Sequence, residues 1–335
     1  MPKHLLTAIK ALLIVGLFGW LIMRALKGSA FSELNLRSLN PFLLTLGFIL
    51  NLLATVITIV RWQALVQALD AKLSLSDALK FGFLGFMFNL SPVGIVGGDA
   101  IKSILLIKKN KISADRAVAS VIIDRVLGLY AMFVLGLIVI FFTGFYRRSE
   151  PMTNLVSFGL VFLTIATTIF LFLVVAPISA NNRRIRTASK APFLGSMFEN
   201  LTKATLVYRN KKKTLFYSFL ATFAVHIFFA ASLYCFACGV FQKAPSFTSH
   251  LILYCSANTG SMIPLSAGPF EYFLDELYPL FPIAGRACYE NGFGVTIGVI
   301  YRLSTVGVAL IGVAYYLFSR SELRSTLQNS NRVNS

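Results

Sequence analysis

Pro92-Val-Gly-Ile-Val-Gly-Gly-Asp99 decides the reading of this chain: it interrupts an apolar run with helix breakers and ends on a carboxylate where a new helical run begins. Pro264-Leu-Ser-Ala-Gly-Pro-Phe-Glu271 repeats the arrangement in the second half, again placing an acid seven residues after a proline. The break residues are Pro92, Gly97 and Gly98 in the first stretch and Pro264, Gly268 and Pro269 in the second. Hydrocarbon offers no partner for the N–H and C=O groups that a break frees, so such backbone survives at membrane depth only inside protein or around a wet cavity. Paired interruptions in two halves of a chain point to a transporter-like site near the bilayer midplane.

The surroundings are those of a membrane protein. The 335 residues are 56% hydrophobic and 13% charged, with a mean hydropathy of +0.74, whereas soluble domains carry about 25% charged residues. Full spans of the ~20 residues needed to cross a bilayer are expected at 9–26, 42–64, 117–142, 154–177, 214–240 and 293–318. The broken regions, 77–112 and 248–284, precede the third and the sixth. The expected fold is all-α and polytopic, with about six full transmembrane helices plus two broken, re-entrant hairpins. A single transmembrane domain fills 1–335, with half-repeats at 1–143 and 154–318. Arms of about 14 residues reach only ~21 Å, short of a ~30 Å core, so the first hairpin reads as re-entrant. Arms of about 16 residues leave the second open between re-entry and spanning.

Orientation follows from Lys and Arg. With each hairpin returning to its side of entry, basic residues favour the N-terminal side roughly three to one, which marks it as cytoplasmic. The stretches 102–116 and 183–213 carry most of that bias. Both termini are then cytoplasmic, and a bacterial cytoplasmic (inner) membrane is the expected location. The first hairpin enters from inside and the second from outside, so the halves form an inverted-repeat layout. The net charge of +18 is topology signal and contact with anionic headgroups, and nucleic acid is not an expected partner. The first apolar run lacks a small-residue cleavage site and reads as a retained span. Cys235 and Cys238 form a Cys-x-x-Cys pair within an apolar span and have no second pair to complete a zinc site. They read as inert thiols, with no metal or cofactor expected. No Walker loop, Gly-x-Ser-x-Gly motif, His-Glu-x-x-His motif or Rossmann unit is present, so the chain reads as transporter-like rather than catalytic.

Six charged residues are candidates for substrate binding: Asp99, Lys102, Asp124, Arg125, Glu271 and Arg302. Asp99 and Glu271 follow the breaks at helix starts, where a carboxylate also serves as an ordinary cap. An acid within the membrane costs ~2.5–3.5 kcal/mol on insertion scales, more than a neutral cap, which favours function. Asp124 and Arg125 are sequence neighbours inside a span. Adjacent helical residues point about 100° apart, so each needs a partner elsewhere, Asp99 or a ligand phosphate for Arg125. Arg302 has no acid beside it in its own span. Guanidinium suits bidentate phosphate contact and stays charged when buried, and structural pairing is the alternative for both arginines. Lys102 lies one turn after Asp99, close enough to the break to meet an anionic headgroup. His226, half-way along a span, reads either as a proton relay or as a packing residue. Arg61-Trp62 reads as a snorkelling arginine beside an interfacial tryptophan, Asp275 and Glu276 as an outer cluster that attracts a cation or is solvated, and 183–213 as a basic stretch lying on the inner leaflet.

Gly97-Gly98-Asp99-Ala-Ile-Lys102, followed by Ala119-Ser120 and Asp124-Arg125-Val-Leu-Gly128, resembles the lysylphosphatidylglycerol synthase transmembrane-region family, also called flippase-like. Arg61-Trp62, Gly268-Pro-Phe-Glu271 and Arg302 resemble further, weaker signatures of that family. Leu265-Ser266 stands where members often carry two glycines. The resemblance implies the lipid-handling region without the C-terminal aminoacyl transferase domain. On this basis the chain is expected to move a phospholipid or lipid-linked headgroup between leaflets through a central polar cavity. Its expected partners are membrane lipids, anionic or phosphate-bearing. The alternative is a membrane subunit or scaffold for a separate soluble lipid-modifying transferase, glycosyl or aminoacyl.

Overall fold

The computed structural model describes residues 3–27, 39–90, 95–175, 206–241, 243–263, 265, 267–281 and 292–318. Pro92, Pro264 and most of the basic 183–213 stretch lie outside the described residues. The described residues are helical, without a strand: α1 (Lys3–Lys27), α2 (Pro41–Gln67), α3 (Leu75–Asn89), α4 (Ile95–Asn110), α5 (Ala114–Thr143), α6 (Pro151–Val175), α7 (Lys212–Val240), α8 (Phe247–Ala257), α9 (Pro269–Leu277) and α10 (Phe293–Phe318). Five of them, α2, α5, α6, α7 and α10, are long and apolar enough to cross a membrane. The remaining expected span is α1, a 25-residue helix.

Local sequence sets the ends. Asn40 accepts the Leu43 N–H at 3.2 Å and Pro41 opens α2, where its missing N–H costs nothing. Ser74 caps α3 through the Asp77 N–H, and Ser246 caps α8 through the Ser249 N–H. Gly144, at φ +65°, closes α5 in the left-handed conformation that glycine adopts without strain.

α2 and α7 form the central pair, packed along most of their length. Glycine allows the close approach: a Cβ on Gly47 would stand 2.6 Å from the Phe236 ring, and one on Gly239 would stand 3.0 Å from Leu44. Ser232 also donates to the Gly47 carbonyl at 2.7 Å. Between membrane helices, where apolar burial drives little, close packing and such bonds hold the contact. Around this pair α3–α4 and α8–α9 fold as hairpins. The first arm of each also leans on a distant helix, α3 on α10 and α8 on α5. α6 packs on α5 and α1 on α10.

The short arms resolve the second hairpin. α8 has 11 residues and α9 has nine, or about 17 and 14 Å, so neither helix spans ~30 Å of hydrocarbon. In the first hairpin, Gly97 and Gly98, expected in the break, lie within the first turn of α4. Gly98 serves packing there: a Cβ would fall 2.1 Å from both Asn89 Oδ1 and the Gly85 carbonyl oxygen of α3.

Two ends of the bundle can be told apart. The start of α5 shares its end with the α2–α3 turn, as Arg116 donates to the Leu69 carbonyl and Asn110 to that of Lys72. Tyr208, ahead of α7, joins them by donating to the Leu65 carbonyl at 2.9 Å. Burial pushes its phenol above the usual range and keeps it a donor. The start of α10 marks the other end, where Asn40 N–H meets the Gly239 carbonyl and Arg148 meets that of Leu280. The hairpins enter from opposite ends.

Candidate functional site

Two acid–arginine pairs form where each hairpin meets the long helix that follows it. Arg125 of α5 grips Asp99 of α4 with two bonds, Nε to Oδ2 at 2.9 Å and Nη2 to Oδ1 at 2.8 Å. Arg302 of α10 donates from Nε to Glu271 Oε1 of α9 at 2.7 Å. Arg125 lies about 17 Å along α5 from its start and Arg302 about 14 Å along α10 from the opposite end, so both sit deep. The helix-capping alternative separates the two acids. Glu271 is wholly buried and does cap α9, its Oε2 accepting the Gly268 N–H at 2.8 Å while Oε1 takes Arg302. Asp99 sits in the second turn of α4 and turns both oxygens to Arg125.

Sequence builds the second pair through Gly294-x-x-x-Gly298-x-x-x-Arg302, one face of α10. A Cβ on Gly294 would fall 2.4 Å from the Asp275 Cα, and one on Gly298 would fall 3.0 Å from the Glu271 Cγ. The missing side chains let α9 lie against α10 and bring Glu271 to the arginine two turns on. Gly268, at φ +105°, starts α9 with Pro269 behind it; only glycine adopts that backbone cheaply.

A third pair occupies another face of α5. Arg61 of α2 donates to Asp124 Oδ1 from Nε at 2.9 Å, and its Nη1 donates to Thr222 Oγ1 of α7 at 2.7 Å. Ser120-x-x-x-Asp124-x-x-x-Gly128 is the receiving stripe. Trp62 Nε1 donates to Ser120 Oγ at 3.3 Å, and His226 Nε2 meets the Gly128 carbonyl at 2.9 Å. The expectation of a snorkelling Arg61 and an interfacial Trp62 is therefore replaced. Both are buried, because Asp124 and Thr222 satisfy the guanidinium inside the protein. His226 has partners at both ring nitrogens, with Tyr254 Oη 3.4 Å from Nδ1, which matches its packing role. Lys102 is also buried, its ammonium 5.1 Å from the centre of the Trp62 ring.

The Asp275–Glu276 cluster is likewise structural. Asp275 is fully buried, and its Oδ1 accepts the Gly292 and Val295 N–H groups at 2.7 and 3.2 Å, capping α10. Arg24 of α1 stands 3.3 Å from Asp275 Oδ2 and also binds Glu276 Oε1.

The pairs differ in openness. Arg61 and Asp124 retain 5% and 4% of their side-chain surface, Arg302 and Glu271 25% and 0%, and Arg125 and Asp99 39% and 17%. The first is sealed, and Arg125 is the most open arginine of the three.

The model of the lysylphosphatidylglycerol synthase TM region matches residues 8–322. The chain belongs to this family. It is an integral membrane protein, as its five long apolar helices require. A relative described as UPF0104 membrane protein MJ1595, from Methanocaldococcus jannaschii, is 30% identical over 112 residues. That alignment covers 32% of this chain and 33% of the relative, so the chain spans about a third of that relative's length. No solved structure matches the chain.

Proposed function

We propose that this protein is a flippase-like translocase that moves a phospholipid or lipid-linked headgroup between leaflets while the acyl chains stay in the bilayer. The observation that carries this reading is the openness of Arg125 at depth. An arginine about 17 Å along a spanning helix with 39% of its side-chain surface uncovered is costly against lipid tails, by ~2.5–3.5 kcal/mol even on the mildest scales. A wet path or an anionic ligand removes that cost, and a phosphodiester fits the fork that now holds Asp99. The family name, that of a lipid synthase's membrane region, is consistent with a lipid substrate.

In this reading each arginine exchanges its acid for the lipid phosphate as the headgroup passes. The two hairpins, inverted halves of one transmembrane domain, supply one pair from each side. The half-repeats span 1–143 and 154–318, the termini face the cytoplasm, and the membrane is a bacterial inner membrane. Asp99, Lys102, Arg125, Glu271 and Arg302 line the path, and Asp124 anchors its wall through Arg61.

The reading is tested with purified protein in vesicles carrying a headgroup-labelled phospholipid and a membrane-impermeant quencher. The wild-type chain should accelerate loss of protected label over protein-free vesicles. Unchanged movement in a folded Arg125→Ala/Arg302→Ala variant removes the arginines from the mechanism.

A further inference from the structure

A chain of hydrogen bonds crosses the core between the two arginine sites. It starts at the carbonyl of Gly128 of α5, three residues after Arg125, which His226 of α7 meets through Nε2 at 2.9 Å. A carbonyl only accepts, so Nε2 carries the proton of the neutral imidazole and Nδ1 is left as an acceptor. Tyr254 of α8 supplies the donor, its Oη 3.4 Å away. With that proton committed, the Tyr254 oxygen accepts from the hydroxyl of Tyr301 of α10, to which it is bonded. Tyr301 precedes Arg302, and its ring centre lies 5.4 Å from that of Phe270, which precedes Glu271. The chain thus runs from the helix of the first arginine to the neighbours of both members of the second pair.

Tyr254 stands at the crossing. It belongs to the first arm of the second hairpin, yet that arm packs on α5 of the first half, where a Cβ on Gly136 would stand 3.1 Å from Cys255 Cβ. Asn258, at the end of the same arm, donates to Met132 Sδ of α5 at 3.2 Å and to Tyr254 Oη at 3.5 Å. Tyr254 is buried, and a buried polar group that loses its partner carries the full cost of its desolvation. Moving the second hairpin away from Arg302 therefore strains bonds that end on α5. Coupling between distant sites needs a contiguous physical connection of this kind between elements that move.

We infer that Tyr254 is a positioning residue that couples the two acid–arginine pairs, so that a change at Glu271–Arg302 is felt at Asp99–Arg125. What the coupling is used for rests on the lipid-translocation reading, within which it makes the two sites answer to one headgroup in turn. By linkage the effect runs equally in the other direction.

The test reads the first hairpin while the second is perturbed. Ser103 of α4 is buried and donates to the Asp99 carbonyl at 3.0 Å. Ser103→Cys, in the full chain with its four native cysteines replaced by alanine, reports on that hairpin through its rate of maleimide labelling. Glu271→Gln weakens the second pair and should raise that rate about fivefold, the low end of ordinary coupling. Tyr254→Phe and Tyr301→Phe each remove one hydroxyl and keep the ring, and either should bring the ratio near one. Tyr316→Phe, on the same α10 but exposed, should leave it unchanged, and a ratio lost there as well counts against the inference. A merely structural Tyr254 would raise labelling and lower the melting temperature with or without Glu271→Gln. The ratio would then survive in Tyr254→Phe, which overturns the inference, as does a ratio near one with Tyr254 in place. Labelling needs no lipid movement, so the two ideas fail separately. Coupled labelling without leaflet movement sinks translocation alone, and leaflet movement without coupled labelling sinks the coupling alone.

Discussion

Asp124 and Arg125 are neighbours in sequence yet serve different ion pairs. Asp124 turns to Arg61, whose guanidinium also donates to Thr222, on the α2–α7 side, whereas Arg125 turns to Asp99 on the hairpin side. The ~100° step between adjacent helical residues makes α5 a partition between a sealed structural pair and an open one.

This division predicts different stability costs. Arg61→Ala leaves Asp124 buried without its cation and should cost ~3–5 kcal/mol, the usual loss when one partner of a buried pair is removed. Arg125→Ala should cost clearly less, because the pair is partly open and screening reduces its worth. Thermal unfolding of the two variants in detergent, at matched expression, checks the order. A larger loss for Arg125→Ala contradicts it.

Gly98→Ala should separate α3 from α4. The new methyl meets Asn89 Oδ1 and the Gly85 carbonyl oxygen at 2.1 Å, and a backbone atom cannot yield cheaply. Overpacking of this kind costs about 1–3 kcal/mol. Gly16→Ala, with nothing within 4 Å of its Cβ, is the matched control and should leave the melting temperature unchanged.

Glu271 performs two tasks that substitution can divide. Glu271→Gln keeps an amide oxygen for the Gly268 N–H, so the start of α9 should hold. Glu271→Ala loses the cap as well, worth ~0.5–2 kcal/mol, and leaves Arg302 without its carboxylate. Melting temperature should therefore fall in the order wild type, Gln, Ala. Equal melting of the two variants would show that the cap carries nothing.

Arg24 clips α1 to the acids at the end of α9. Trp20 stacks beneath it at 5.4 Å and reaches Tyr272 at 6.0 Å, while Leu17 covers Gly268, its Cδ2 2.4 Å from where a Cβ would sit. Arg24→Ala should loosen α1 while the rest of the fold holds. The readout is a Trp20→Cys/Tyr272→Cys pair. Its crosslinking yield should drop when Arg24→Ala is added, and an unchanged yield would show that the clip does not hold α1.

Much of this architecture is legible in the sequence, because breaks, acids and apolar lengths are local patterns. The hairpins, the long helices and the order of break, acid and arginine all follow from them. The pairings across distance are not local. Arg61 resembles a snorkelling residue until Asp124, 63 positions away, is placed beside it. Asp275 and Glu276 resemble a solvated cluster until Arg24 arrives from 252 positions away in sequence. Small-residue stripes were the available signal: Ser120, Asp124 and Gly128 on one face of α5, and Gly294, Gly298 and Arg302 on one face of α10. The first receives the Arg61, Trp62 and His226 side chains, and the second marks where the α9 backbone comes close.

The central claim is that the two acid–arginine pairs, entering from opposite ends, serve one path. Single-variant and double-variant headgroup movement in reconstituted vesicles tests it most directly. On a single path, Arg125→Ala and Arg302→Ala should each lower the rate nearly as far as the double variant does, since groups acting as a unit are not additive. Two single losses that multiply in the double variant, or a single variant that moves lipid at the wild-type rate, would contradict it.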